Sequence, residues 1–221
     1  VYKRQDMKSL EEMNKDLKKP NNMDNFSEEE QEISENQKNS SEQLEKGNNK
    51  KAGQQQRQAG EQMQQMAQKM QQMQQGMAME QEQENLEDLK HLLNNLMYLT
   101  HSQENLINNF KKTQQRDPRF VELSLKQVVL NESSSVVEDS LYALASRVFQ
   151  IEPYITKELS DMLLYMSESN SAIKERKKTY ALSKQKYAMT SMNNLALLLD
   201  DVLKQMQQQM ADKKPGQQMC N

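Results

Sequence analysis

Residues 52–77 read AGQQQRQAGEQMQQMAQKMQQMQQGM, and their periodicity decides the fold. Ala52, Ala59, Met63, Met66, Met70, Met73 and Met77 follow one another at intervals of 7, 4, 3, 4, 3 and 4 residues. That spacing lines one side of an α-helix and closes a seam against another helix. The intervening positions are Gln, Gly, Arg, Glu, Lys and Ala, so the remainder of the helix faces water.

Toward the C-terminus, Gly76 to Met79 shift the phase by two residues. A second seam then runs through Leu86, Leu89, Leu93, Leu96, Ile107 and Phe110, with Thr100 and Gln103 in the intervening places. It predicts a separate helix over 80–113. Arg116, Asp117 and Pro118 close it, because Pro disfavours the helical region for the residue before it and suits a helix start. Phe120, Leu123, Val128, Val137, Leu141, Leu144, Val148 and Ile151 carry an apolar face to Pro153, with Ser133 to Ser135 as the place for a kink. Ile155, Leu159, Met162 and Met166 predict a fifth helix. Tyr180, Tyr187, Leu195, Leu198, Val202 and Met206 predict a sixth, ahead of a disordered tail over 212–221.

Toward the N-terminus, Gly47 and Asn48 both tolerate a left-handed C-cap. They end a helix that begins at Ser27, where Ser27 and Glu30 make a capping box and Glu28, Glu29 and Glu30 suit the positive end of the helix dipole. Its apolar face is thin: Ile33 and Leu44, with Gln37 and Ser40 between. Met7, Leu10, Met13 and Leu17 outline a short amphipathic helix before Pro20, and 21–25 is a linker. The expected organisation is a short helix and linker over 6–26, a Gln- and Met-rich helical hairpin over 27–79 and a bundle of long helices over 80–211. The fold class is all-α: extended antiparallel hairpins with coiled-coil-like seams.

Composition narrows the function. Only 35% of the 221 residues are hydrophobic and 5% aromatic, with no Trp, and the mean hydropathy is −1.04. The 29 Lys and Arg nearly balance 32 Asp and Glu, so the polarity comes largely from uncharged Gln and Asn. This is not the high-net-charge route to disorder. The charges are spread along the chain, which gives phosphate steering little to work with and excludes a nucleic-acid arm. Five Gly and four Pro are too few for a barrel, a sandwich or a Gly-rich nucleotide site. The longest apolar run, Leu195 to Leu199, falls far short of the ~20 residues that cross a bilayer. The single Cys220 leaves the redox compartment open.

Two groups of side chains invite a chemical reading. Thioethers are soft ligands for Cu(I), and Met63, Met66, Met70 and Met73 share one helix face; yet Met is also an adaptable core filler at the spacing that any helix seam requires. Packing is the reading adopted. Asp88 and His91 have the i, i+3 geometry of a di-iron bundle ligand pair, but His101, the only other His, has Glu104 after it in reversed order. A solvated helix face is therefore expected there, and likewise at Asp200 and Asp201. Tyr142, Tyr154, Tyr165, Tyr180 and Tyr187 are expected to bury their rings and keep their hydroxyls wet. Ser133 to Ser135 have no neighbouring His and no nucleophile elbow, and no P-loop occurs. No catalytic residue and no cofactor are expected. The interaction seam is Met63, Met66, Met70, Met73 and Met77 together with Leu86, Leu89, Leu93 and Leu96.

An offset of 129 residues lays Leu44, Ala52, Gln56, Ala59, Met63 and Met66 on Ile173, Ala181, Gln185, Ala188, Met192 and Leu195. Two readings stand side by side: a repeated helical hairpin with Ala at the close approach, and chance matching in a low-complexity background.

The first five residues, VYKRQ, match the translation of a widely used sequencing adapter, so 1–5 are set aside as non-native. The strings NNLMYLTHSQENLINNF (94–110), DPRFVEL (117–123), DSLYALASRVFQIEPYI (139–155) and above all YAMTSMNNLALLLDDVLKQMQQQM (187–210) resemble the C-terminal region of a family of large uncharacterised proteins of Bacteroidota. In that family N-terminal membrane helices precede a long Gln-, Lys- and Met-rich helical region. The resemblance covers 27–210. It implies a chain continuing beyond both ends of this one, an extramembrane place in the cell envelope, and membrane contact only through parts of the parent chain outside this sequence. It supplies no catalytic residues. The expected role is structural or scaffolding, through protein partners or self-association, with a Met-rich Cu(I) module and a regulatory or sensor module as alternatives.

Overall fold

The structure, a computed structural model, describes residues 2–21 and 26–213, with side chains over 8–21, 26 and 28–212. Among these residues there are six helices and no strand: α1 (Tyr2–Asp16), α2 (Ser27–Glu45), α3 (Asn49–Lys112), α4 (Arg119–Ala145), α5 (Pro153–Lys174) and α6 (Lys178–Lys213). The protein is all-α. Two compact units divide it, Val1–Glu84 and Asn85–Asn221, and α3 contributes residues to each.

In the first unit Leu10 and Leu17 from α1, Phe26 and Ile33 at the start of α2, and Met66, Met70 and Met77 from α3 form one buried cluster. Met13, Met63 and Met73 pack half-buried against it. The chain leaving α1 is pinned by Asn14, whose Nδ2 donates to the Asn21 carbonyl at 2.8 Å while its Oδ1 accepts from the Asn21 amide at 2.7 Å. Ser40 is buried and donates to the Ala52 carbonyl at 3.0 Å, tying α2 to α3 where Ala52 leaves room. Polar pairs border the hairpin, such as Lys69 with Glu29 at 3.1 Å and Gln62 with Glu32 at 3.0 Å.

The second unit buries a larger cluster, in which Leu89, Leu96, Leu141, Ile155, Leu159, Met162, Met166, Leu195 and Leu199 are among the most enclosed. Phe110 and Phe120 meet edge to face at 5.4 Å where α3 gives way to α4. The C-terminus of α3 is capped from α6: Lys178 Nζ donates to the carbonyls of Thr113 at 2.6 Å and Lys111 at 3.2 Å, a cation at the negative end of a helix dipole.

The two turns that close the hairpins are alike. After α2, Gly47 at φ 72 and Asn48 donate to the carbonyls of Leu44 and Gln43; after α5, Arg176 at φ 57 and Lys177 donate to those of Ile173 and Ala172. Both are Schellman caps. The starts of α3 and α6, Asn49 and Lys178, differ by the same 129 residues. Buried positions coincide under that offset too: Phe26 with Ile155, Ile33 with Met162, Ser40 with Ser169, Ala52 with Ala181, Ala59 with Ala188, Met66 with Leu195, Met70 with Leu199 and Met77 with Met206. Sequence identity alone leaves chance open, whereas coincident burial and a coincident turn give the α2–α3 and α5–α6 hairpins one design.

Several expectations need correction. The helix predicted over 80–113 is not separate, because α3 runs unbroken through Gly60 and Gly76. An isolated Gly costs a helix only about 1 kcal/mol, and Gln and Met on both sides are good helix formers, so a phase shift in the seam did not mean a break in the backbone. Ser133 to Ser135 do not interrupt α4 either; Ser133 and Ser134 donate to the carbonyls of Val129 and Asn131 within the helix. Val148 and Ile151 are buried, but in the connection after Ala145 rather than on a helix face. Asp212 and Lys213 belong to α6, while the remainder of the tail, 214–221, lies outside the described residues. Val1 also lies outside them, as does the side chain of Ser27, on which the capping box depends.

Candidate interaction surface

The residues expected to form an interaction seam are used inside the chain. Met66, Met70 and Met77 are buried in the first unit beside Leu10, Leu17 and Phe26, with Met63 and Met73 half-buried. Leu86, Leu89 and Leu96 belong to the core of the second unit, with Leu93 half-buried against it. The thioethers thus lie among carbon neighbours. Asp88 is paired with Arg147 at 3.1 Å, and His91 and His101 are exposed. No group of three or more His, Cys, Asp or Glu that suits a metal ion occurs among the described residues. Asp200 and Asp201 share Lys204 at 2.7 and 3.7 Å on the surface, and this contact holds the Lys204 ammonium above its ordinary range.

Instead, α4 carries an exposed apolar stripe. Its inner face supplies Phe120, Leu123, Leu130, Val137, Leu141 and Leu144 to the core. Its outer face carries Val121, Leu125, Val129 and Val136, between 56% and 63% exposed. A helix apolar on both sides has one side without a partner. Grooves flank the stripe. Between α4 and α3 a 470 Å³ groove is floored by Leu106, Leu125, Val129 and Leu130, walled by Tyr98 and rimmed by Ser102, Asn105, Asn109, Glu122 and Lys126. Between α4 and α5 a smaller one of 260 Å³ runs past Phe120, Val121, Val128 and Ile173 to Arg176. The rim charges are paired: Lys126 lies 2.7 Å from Glu122 and holds its carboxyl below the usual carboxylate range. A further groove of 590 Å³ lies between α3 and α6, along Leu93, Met97, Ala196, Leu197 and Leu203. The sequence does contain the signal of a second apolar side, since Val121, Leu125 and Val129 recur every four residues, but the parallel spacing of Phe120, Leu123 and Leu130 reads as the core face and masks it.

Beneath the stripe the core holds a polar layer. Gln103 and Gln127, both fully buried, exchange amide hydrogen bonds at 2.9 and 3.0 Å, and Gln127 Oε1 also accepts from the buried Gln185 at 2.7 Å. The second amide proton of Gln127 reaches the Met166 sulfur at 3.6 Å. Gln185 Oε1 alone accepts nothing. Such a layer fixes which residues face one another, because a slip of one helix would strand buried amides.

The tyrosines also differ from expectation. Tyr142, Tyr154, Tyr180 and Tyr187 are about half exposed rather than ring-buried. Tyr165, Tyr180 and Tyr187 surround Lys184, whose ammonium lies 5.2, 5.3 and 5.8 Å from the three ring centres and 2.7 Å from Glu168. The bond to Glu168 keeps that ammonium above the ordinary lysine range. The cluster clasps α5 to α6 and contains no nucleophile paired with a base.

No helix among the described residues is long and apolar enough to cross a membrane. No protein-family model, no curated protein and no solved structure matches the chain.

Proposed function

We propose that this chain is a non-catalytic scaffolding segment that works by presenting helix faces to protein partners, with the outer face of α4 as its contact surface. The observation that carries this reading is the apolar stripe Val121, Leu125, Val129 and Val136, exposed on a helix whose opposite face already fills a core. Exposed apolar surface of that kind, rimmed by polar groups, marks protein contact sites. Affinity at such a surface comes from a few buried anchors in pockets, and Leu125 and Val129 line one beside Tyr98. The resemblance of 94–110, 117–123, 139–155 and 187–210 to the Bacteroidota proteins supports a setting in the cell envelope, outside the membrane, in a larger membrane-anchored protein. The Met seam gives the Cu(I) alternative no support, since its most buried sulfurs lie in a carbon-lined core.

The test is photo-crosslinking in cells from Leu125 and from Met66. A defined partner or a second copy should be trapped from Leu125 and not from Met66, and Val129→Glu should abolish it. Partners trapped equally from Met66 would return the contact surface to the seam.

A further inference from the structure

The two hairpins of common design are covered differently, and the covered one indicates what the other lacks. In the second unit the first half of α4 lies over the hairpin at Met166, Ile173 and Gln185. Gln127 donates to the Met166 sulfur at 3.6 Å and accepts from Gln185 at 2.7 Å, and Phe120 and Ile173 line one groove. All three covered residues are buried. Their counterparts in the first unit, Gln37, Leu44 and Gln56, are exposed. Leu44, at 48%, is one of two large apolar side chains exposed among the described residues of that unit, where its counterpart Ile173 is at 4%.

We propose that the face formed by Gln37, Leu44 and Gln56 is a docking site for an amphipathic helix that carries an aromatic residue and a glutamine seven positions apart, as Phe120 and Gln127 are. The chemistry of the face selects this occupant. Gln56 keeps the amide that Gln185 presents to Gln127, so an incoming glutamine oxygen has a donor waiting. Gln37 stands where the Met166 sulfur accepts, and its side-chain oxygen is the better acceptor for the same amide proton. Leu44 offers the apolar surface that an aromatic ring covers. A wholly apolar helix would bury two glutamine side chains without partners, which disfavours it. The interaction goes beyond the contact surface proposed on α4, because it concerns the other unit and an occupant of different chemistry.

A labelled peptide of residues 117–131, which contains Phe120 and Gln127 at the required spacing, is the probe, titrated by fluorescence anisotropy against the full chain. Saturable binding is expected. Leu44→Lys in the protein should weaken it at least tenfold, with the circular dichroism spectrum unchanged because Leu44 is exposed, and Gln127→Leu in the peptide should weaken it similarly. Absence of binding, binding indifferent to Leu44→Lys, or binding indifferent to Gln127→Leu would each overturn the proposal.

Discussion

At the turn between α2 and α3 the left-handed residue is Gly47; at the matching turn between α5 and α6 it is Arg176. A non-glycine residue in that conformation costs about 1–2 kcal/mol, and Arg176 offsets the cost with its side chain. Its guanidinium donates to the Gln115 carbonyl at 2.8 Å and lies 5.7 Å from the centre of the Phe120 ring. A Cβ at Gly47 would meet nothing within 4 Å. The same contrast runs along both hairpins. Where α5 and α6 bury Leu159, Met166, Ile173 and Gln185, α2 and α3 hold Glu30, Gln37, Leu44 and Gln56 in partial or full contact with solvent. One hairpin design thus supports either a four-helix core or a narrow methionine seam, and the number of covering helices separates the two.

The largest expected effect tests how the two cores carry load. Leu195→Ala and its counterpart Met66→Ala each empty a fully buried site, at a cost of ~2–5 kcal/mol. Hydrogen exchange should show Met66→Ala releasing the amides of 8–77 while 85–206 stay protected. Uniform loss of protection would mean that the chain unfolds as one body and would end the distinction.

The polar layer gives the next effect. Gln127→Ala leaves Gln103 and Gln185 buried without partners, for a loss of ~1–3 kcal/mol by urea denaturation, whereas Gln56→Ala, on the exposed equivalent of Gln185, should stay within about 0.5 kcal/mol. Equal losses would show that Gln56 is not free in solution. Replacing Gln103, Gln127 and Gln185 together by Leu should recover most of the loss.

Glycine substitutions separate turn from helix. Gly47→Ala, at positive φ, should destabilise by about 1–2 kcal/mol, while Gly76→Ala, in an exposed helical site with nothing within 4 Å of the added Cβ, should stabilise by up to about 1 kcal/mol. Thermal melts of the two variants should therefore shift in opposite directions.

The smallest effect is confined to the second unit, whose Lys184 cluster has Gln55 at the matching place in the first. Because Glu168 raises the folded-state affinity of Lys184 for its proton, the stabilisation is complete below the usual lysine value near 10.4 and is lost as pH rises past it. The stability difference between the native chain and Lys184→Met should be constant from pH 7 to 9 and shrink above pH 10. A difference that does not move with pH would assign the effect to packing alone.

Much of the fold was legible because helix formation is local. The three-four spacing of Met63 to Met77 located a seam, and Pro118, Pro153 and Gly47 marked ends, each through its own backbone preference. The continuity of α3 was not legible, since two tolerated glycines and a change of seam look the same in sequence as a break. Nor was the choice of which apolar side of α4 is buried. Val121 and Leu125 are as apolar as Leu123 and Leu130, and nothing in their spacing tells which side of α4 meets a core.

By itself, then, the sequence determined that this chain is helical and that many of its apolar residues lie in stripes along the helices, because these follow from composition and from spacing along one helix. Only the tertiary structure decided that the methionine seam closes on Leu10, Leu17 and Phe26 within the chain, that Gln103, Gln127 and Gln185 meet, and that the outer face of α4 remains open. Each of these depends on which distant helix arrives to cover a face, and an apolar stripe specifies burial without specifying its partner.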